Sequence, residues 1–591
     1  VSSSRTTPPA GSSYAGAAFG GKAMAGKQPL IGASVELYAA GTSGNGSSGS
    51  ALLASPLTTD ANGAFAAPAG YTCPSAASQI YVVARGGKPG AAAAAANSAI
   101  ALMTALGACN QIAAQIVVNE ATTVAAAYAL SQFLSAGGNL GASASNTTGL
   151  ANAVATALAL ADITAGSSPG PSFAANGSSP AAKIDSVADL LNGCVVSSPT
   201  GSACSGLFAA TTPAGSGHAP SNTLDAALDL VRSPAANVAS LYALSIGSSA
   251  FTPVLAKSPS DWTLFVNYTG GGMDGPTGLG IDAAGDVWVA SYFNAASLFS
   301  PLGQPLLAQG ASGSGLSASY GLAVDANDDA WIPNEPSTGA AGNSVSVINS
   351  SGLSVAGSGG FTAGGLDFPI AVAIDTDGSA WAVDYGDSHL THLSSSGQPL
   401  SGAAGYGSPS LQFPVAAAID GSHNVWVANQ GATTVTQVAP DGSQFNSYVS
   451  GDGPSGLAID QLGNVWTANY FGNSISEIAC SGTLLSSGGF TGGGVDHPQG
   501  IAIDGAGQVW IANYRAGYLT ELAGASSASP GAALSPAAGL GGDAGLLEAY
   551  AVAVDASGNV WVSNFGSNTL TEFVGVAGPV KTPLIGLPEA P

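Results

Sequence analysis

Residues 456–490 read GLAIDQLGNVWTANYFGNSISEIACSGTLLSSGGF. Short apolar segments rich in Val, Ile and Trp alternate here with Gly, Asn and Asp. The pattern predicts strand, turn, strand, loop, strand, turn, strand. No segment carries a 3.6-residue apolar period over three turns, so helices are not expected. Asp460 stands six residues before Trp466. The same pair recurs as Asp282/Trp288, Asp325/Trp331, Asp375/Trp381, Asp420/Trp426, Asp504/Trp510 and Asp555/Trp561. Successive pairs lie 40 to 51 residues apart.

A repeat of this size, built from four short strands, has the form of a β-propeller blade. The repeats predict a seven-bladed β-propeller over residues 262–575. Trp262-Thr-Leu-Phe-Val-Asn-Tyr268 precedes the first unit, and the last unit ends on Thr569-Leu-Thr-Glu-Phe573 without a clear fourth strand. Tyr268 is followed by Thr-Gly-Gly-Gly, as is Phe490 after an outer strand. Residues 262–268 are therefore expected to close the ring as the outer strand of the last blade, which removes exposed edges. Residues 576–591 follow as a C-terminal tail.

Segments GLAID–QLGNVWTAN–GNSISEI at 456–478 and GIAID–GAGQVWIAN at 500–513 resemble NHL-type repeats, and more closely the virginiamycin B lyase-like repeat. The resemblance covers roughly half the chain and implies the propeller fold. It also implies a lyase that works with His, Glu and a divalent cation near the channel mouth. On that basis His497, His389 and Glu335 are the candidate catalytic residues. The glutamate of the family pattern is replaced by Asn in five units and by Ser291 in the first, which argues against an enzyme. No other cofactor is implied.

One face of the predicted propeller gathers the residue three after each Trp: Ser291, Asn334, Asp384, Asn429, Asn469, Asn513 and Asn564. Tyr292, Tyr385, Tyr470, Tyr514 and Phe565 stand next to them. Amides hydrogen-bond hydroxyls and tyrosine faces cover apolar sugar surfaces. Asn429, Asn469, Asn513, Asn564, Tyr385, Tyr470 and Tyr514 are thus ligand-binding candidates. The competing reading is repeat structure, in which each Asn bonds its own loop. The Asp282-type residues fall at the opposite face and are expected to organise a turn. Glu477, Glu521 and Glu572 share one third-strand position and are expected on a solvated face.

Only 7% of the 591 residues are charged, and the net charge is −24 with ten Lys and Arg in all. Between residues 262 and 580 Arg515 is the single Lys or Arg. Phosphate backbones and anionic membranes need several cations, so nucleic acid and membrane surfaces are not expected partners. Neutral glycans remain. Few ion pairs also predict tolerance of low pH, because acid denaturation works by protonating paired carboxylates. The most apolar candidate for a membrane span, 91–118, is broken by Asn97, Gly107, Asn110 and Gln111.

Residues 1–15, VSSSRTTPPAGSSYA, read as a flexible or extended arm. Residues 16–96 alternate short strands with Gly, Pro and Asn, which predicts a small β-sandwich. The phrases PLIGASVELY and TTDANGAF within it resemble the carboxypeptidase regulatory-like, or transthyretin-like, domain. That resemblance implies a stalk, spacer or adhesive module without catalysis. Residues 97–250 carry helical apolar spacing and predict an α-helical domain. The fold class is multidomain and mainly β. Cys73 with Cys109 and Cys194 with Cys204 are candidate disulfides; the alternative is buried thiols. Cys480 is expected to be a small core residue. Val1 is not an initiator Met, as expected of a chain processed by signal-peptide removal.

Taken together, the sequence predicts a secreted, non-enzymatic surface or extracellular structural protein. Its partners are expected to be other surface proteins or itself, through a fibre built by the N-terminal arm or the sandwich edge. The alternatives are a glycan-binding propeller and the cation-dependent lyase.

Overall fold

The computed structural model describes residues 12–91, 95–213, 219–293, 295–336 and 343–591. The chain forms two compact units, one of residues up to 173 with 179–262, the other of 174–178 with 263–591. Residues 1–11 of the expected arm lie outside the described residues. Tyr14–Ala15 at its end pairs antiparallel with Thr72–Cys73.

In the first unit two five-stranded sheets share one apolar core. One is ordered Lys88–Pro89, Gln28–Ile31, Phe19–Ala25, Gln115–Val118, with Ala64–Ala67 also on Phe19–Ala25. The other is ordered Ala101–Ala108, Gln79–Arg85, Ser34–Ala39, Ser50–Ala51, with Leu57–Thr58 also on Ser34–Ala39. The boundary expected at residue 97 is corrected here, since the sheets continue to Val118. Ala101–Ala108 is buried along nearly its whole length. A strand covered on both faces shows no alternation, and an Ala-rich apolar run then reads equally well as helix. Helices begin at Glu120 and end at Ser245 among the described residues. Asn119 caps the first, accepting from the Thr122 N–H at 3.0 Å, and Asn222 caps another through the Asp225 N–H at 3.0 Å. Strands and helices belong to one compact unit, while residues 174–178, inside the expected helical range, belong to the other. Disulfides join Cys73 to Cys109 and Cys194 to Cys204.

The second unit is a propeller-like set of seven small antiparallel sheets. In residues 454–478 the inner strand Pro454–Ile459 pairs with Val465–Asn469, which pairs with Ser474–Ile478. The other sheets repeat this order. Phe265–Tyr268 lies antiparallel to Thr569–Phe573, so the last sheet is completed by chain from before the first. Three sheets have four regular strands and four have three. In the latter the outer segment touches by isolated bridges such as Ile475 to Phe490. Gly488 and Gly489, at φ of 82° and 76°, turn the chain out of the extended geometry a longer ladder needs.

One carboxylate organises the turn within most sheets. Asp460 Oδ1 accepts from the N–H of Leu462 and of Asn464, both at 2.9 Å. Asp460 Oδ2 accepts from Trp466 Nε1 at 2.9 Å. The same indole bond forms at Asp325, Asp420, Asp504 and Asp555. The indole so held is fully buried and packs against the next sheet: Trp466 with Ile501 and Ile511, Trp426 with Ile459 and Val465. Burying an indole stabilises by about 4–6 kcal/mol at 25 cal/mol per Å². An aromatic of the outer segment covers it, as Tyr448 does Trp426 and Tyr268 does Trp561.

Two expectations fail here. Cys480 is exposed, because it sits in the turn after its strand. Glu477 and Glu572 are buried, and Glu521 is half-buried, because the outer segments cover the position. Tyr268 donates to Glu572 Oε2 at 2.7 Å. Burial, with Asp504 or Asp555 nearby, pushes the Glu521 and Glu572 carboxyls up to about 8. Burial and Asp460 push Glu477 up to about 7.

Asp555 also accepts from Ser557 N–H, Asn559 N–H and Asn559 Nδ2 at 2.8 to 3.1 Å. Asp555→Ala should therefore cost roughly 2–4 kcal/mol, as bonds are lost and buried donors stranded. Urea unfolding followed by tryptophan fluorescence measures it, and an unchanged midpoint would remove this role. The raised carboxyls set a second expectation. They are protonated when folded and ionised when unfolded between about pH 4.5 and 8, so stability is greatest at low pH and falls as pH rises through that window. Each such group contributes up to about 1.4 kcal/mol per pH unit. Unfolding midpoints at pH 5 and 8.5 test the sign.

Candidate functional site

The inner strands surround a channel whose mouth forms a cavity of about 440 Å³. Two positions per repeat supply its polar lining. The residue four after the repeat Trp gives Glu335, Tyr385 and Gln430. The second residue of the inner segment gives Tyr320, Ser455, Gln499 and Tyr550. The strand geometry explains the pairing of these positions. Each inner strand starts opposite the end of the second strand, as Pro454 faces Asn469, so both present residues at one rim.

The rim is aromatic and nearly free of cations. Tyr320 lies 5.2 Å from Tyr292 and 6.0 Å from Tyr550, ring centre to ring centre. Burial, together with the Glu335 carboxyl and neighbouring tyrosines, pushes the Tyr320 and Tyr550 hydroxyls well up. They stay protonated donors at any physiological pH. Burial also raises the Glu335 carboxyl. The site thus offers phenol and amide hydrogen bonds beside half-buried tyrosine rings.

The sequence candidates separate into two groups. Tyr385 and Glu335 line the cavity. Tyr470 and Tyr514 stand beside it, half-buried, with centroids 5.9 Å apart. Asn429, Asn469, Asn513 and Asn564 are fully buried and are corrected from ligand contacts to internal staples. Asn469 Oδ1 accepts from Gly451 N–H at 3.2 Å, and its Nδ2 donates to Ser474 and Ser476 at 3.2 and 2.9 Å. Asn429 ties Gln412 N–H to Thr434 and Thr436 in the same way. An Asn followed seven residues later by Ser or Thr marks this staple in the sequence: 429/436, 469/476, 513/520 and 564/571.

The imidazoles do not join Glu335. His497 Nδ1 lies 2.7 Å from Asp496 Oδ1, and its ring meets Tyr470 edge-on at 5.1 Å. His389 Nδ1 lies 3.2 Å from Asp387 Oδ1, in a different sheet. Neither lines the cavity. Among the described residues no three of His, Cys, Asp and Glu converge as a metal-ligand set. The acid, base and cation set implied by the lyase resemblance does not fit these residues. Tyr320, Gln430, Gln499 and Tyr550 were not singled out by sequence reasoning. Gln430 shares the register of Tyr385 and Tyr470, and that register was the available signal.

No protein-family model and no curated protein matches the chain. Among solved structures it is similar to virginiamycin B lyase from Staphylococcus aureus, at 14% identity and a TM-score of 0.41, covering 52% of this chain and 98% of that one. A streptogramin B lyase structure is similar at 14% identity and a TM-score of 0.40, covering 52% and 97%. Hydrazine synthase from Kuenenia stuttgartiensis is similar at 13% identity and a TM-score of 0.37, covering 51% and 96%. What this chain binds has to be read from its own residues.

The staple assignment makes a specific expectation. Asn469→Ala should lower stability by roughly 2–3 kcal/mol, because it strands buried donors, and should leave ligand affinity at the mouth within about twofold. Thermal unfolding and titration calorimetry on the same variant separate the two effects.

Proposed function

We propose that this chain is an extracellular, non-enzymatic interaction protein whose seven-bladed β-propeller binds a neutral, hydroxyl-rich ligand of the glycan class at its channel mouth. The observation that carries this reading is the cavity in which Tyr320, Tyr385 and Tyr550 stand beside Gln430, Gln499 and Ser455. Phenyl faces cover the C–H surface of a sugar ring, while amide and hydroxyl groups exchange hydrogen bonds with its hydroxyls. Its volume suits a small ligand. The scarcity of cations disfavours phosphorylated or sulfated ligands.

Two disulfides fit an oxidising compartment and support the extracellular part of the reading. No helix among the described residues is long and apolar enough to cross a membrane. The lyase alternative lacks support from the site, since His389 and His497 lie outside the cavity that holds Glu335.

Screening neutral oligosaccharides on a glycan array, followed by calorimetry, tests the reading. Tyr550→Ala and Gln430→Ala should each weaken the best ligand about tenfold, in line with losing a ring contact or a hydrogen bond. Binding that survives both changes, or an array without any neutral sugar bound, would overturn it.

A further inference from the structure

Below the mouth the channel changes chemistry. A second cavity of about 230 Å³ is lined by all seven inner strands and by the C-terminal tail. Among its lining residues Thr582 has the one polar side chain; the others are Leu, Ile, Val, Ala, Gly and Pro. Leu279, Leu322, Leu457, Ile501 and Val552 line both cavities, so the two adjoin. Polar side chains are thus confined almost wholly to the rim, while in the depth aliphatic side chains stand beside backbone N–H and C=O groups of the inner strands.

The tail lies across the far end. Gly578 N–H donates to Asp504 Oδ2 at 2.8 Å and Val580 N–H to Asp555 O at 3.0 Å. The chain then folds on itself, with Lys581 N–H donating to Glu589 O at 2.8 Å. Leu587 packs, as Ala418 and Leu457 do, against the core around Trp426 and Ile459. The C-terminal tail is therefore a floor, held at several points. The lining is more apolar than polar, and its aliphatic side chains favour an apolar guest.

We propose that this lower chamber is an aliphatic subsite, so that the ligand class is a neutral single-chain amphiphile, with a sugar-like head at the rim and an alkyl chain in the channel. The head-group half rests on the binding reading given above; the chain half rests on the chamber alone. An anionic head is disfavoured, because Glu335 stands at the rim and the adjoining channel supplies no cation.

Calorimetry with alkyl β-glucosides from methyl to dodecyl, kept below micelle concentrations, tests the inference on the unmodified protein, with the matching 1-alkanols as head-free controls. Affinity should rise about fourfold per methylene, at 0.8 kcal/mol each, and then level off when the chamber is full. The heat capacity change should grow more negative along the same series. Leu584→Gln, in the tail and lining the lower chamber alone, should flatten the dependence on chain length while methyl glucoside binding is kept. Equal affinity for methyl and octyl glucoside overturns the chain subsite and leaves the mouth reading standing. Alkanols that bind as tightly as the glucosides support the chain subsite and overturn the mouth reading. Failure of both series to bind overturns the two together. The wild-type series decides even where Leu584→Gln fails to fold.

Discussion

The aspartate that ends each inner strand performs two tasks with one carboxylate. One oxygen gathers two backbone N–H groups and shapes the turn; in five sheets the other oxygen orients an indole. Burying a carboxylate is costly unless its oxygens are occupied, and here N–H donors occupy them. The indole then fills the space between its own sheet and the next. Two repeats depart from the pattern. Trp288 Nε1 is buried without a hydrogen-bond partner, and Asp375 accepts instead from His423 Nδ1 at 2.8 Å. In the latter repeat His392 stacks on Trp381 at 4.0 Å. The sheets tolerate both departures because burial of the ring contributes more than its single hydrogen bond.

Low charge is a theme of the interior as well as of the composition. Several buried carboxyls are pushed up by burial with no cation beside them. Glu572 meets a tyrosine hydroxyl and has one oxygen with no partner, an arrangement suited to a protonated acid. Glu120, in the first unit, is pushed up to about 7 by burial although Asn192 and Gly26 donate to it. Such groups favour an acidic medium over an alkaline one. They oppose the usual pattern, in which salt-bridged carboxylates make a protein fail in acid.

The channel owes its two zones to strand register. Each inner strand runs along the channel, so its start meets the rim and its end meets the depth. At the start, Tyr320, Gln499 and Tyr550 depart from a repeat that is otherwise apolar or small there, as Ile370 and Val415 are. Variation at one position of a uniform scaffold gives an asymmetric site on a symmetric ring. The depth is uniform, because Ile and Val at the strand ends pack the sheets together.

Much of this was legible in the linear order of residues. The Asp-to-Trp spacing, the short apolar runs and the Gly, Asn and Asp between them are local signals, and they are enough to mark the strands and the repeat. Local order was not enough to tell the strand Ala101–Ala108 from a helix, because a segment covered on both faces loses its periodicity. The amides of Asn429 and Asn469 read equally well as ligand groups or staples, since the hydroxyls that occupy them belong to the next strand. Glu477 and Glu572 looked solvated for a like reason: what buries them is an outer segment whose position depends on the sheet. Sequence by itself determined the repeat, its strands and its poverty in cations, all of which are properties of neighbouring residues. Only the tertiary structure decided which side chains reach the channel and that residues 576–591 close it, because those outcomes depend on contacts between residues dozens to hundreds of positions apart.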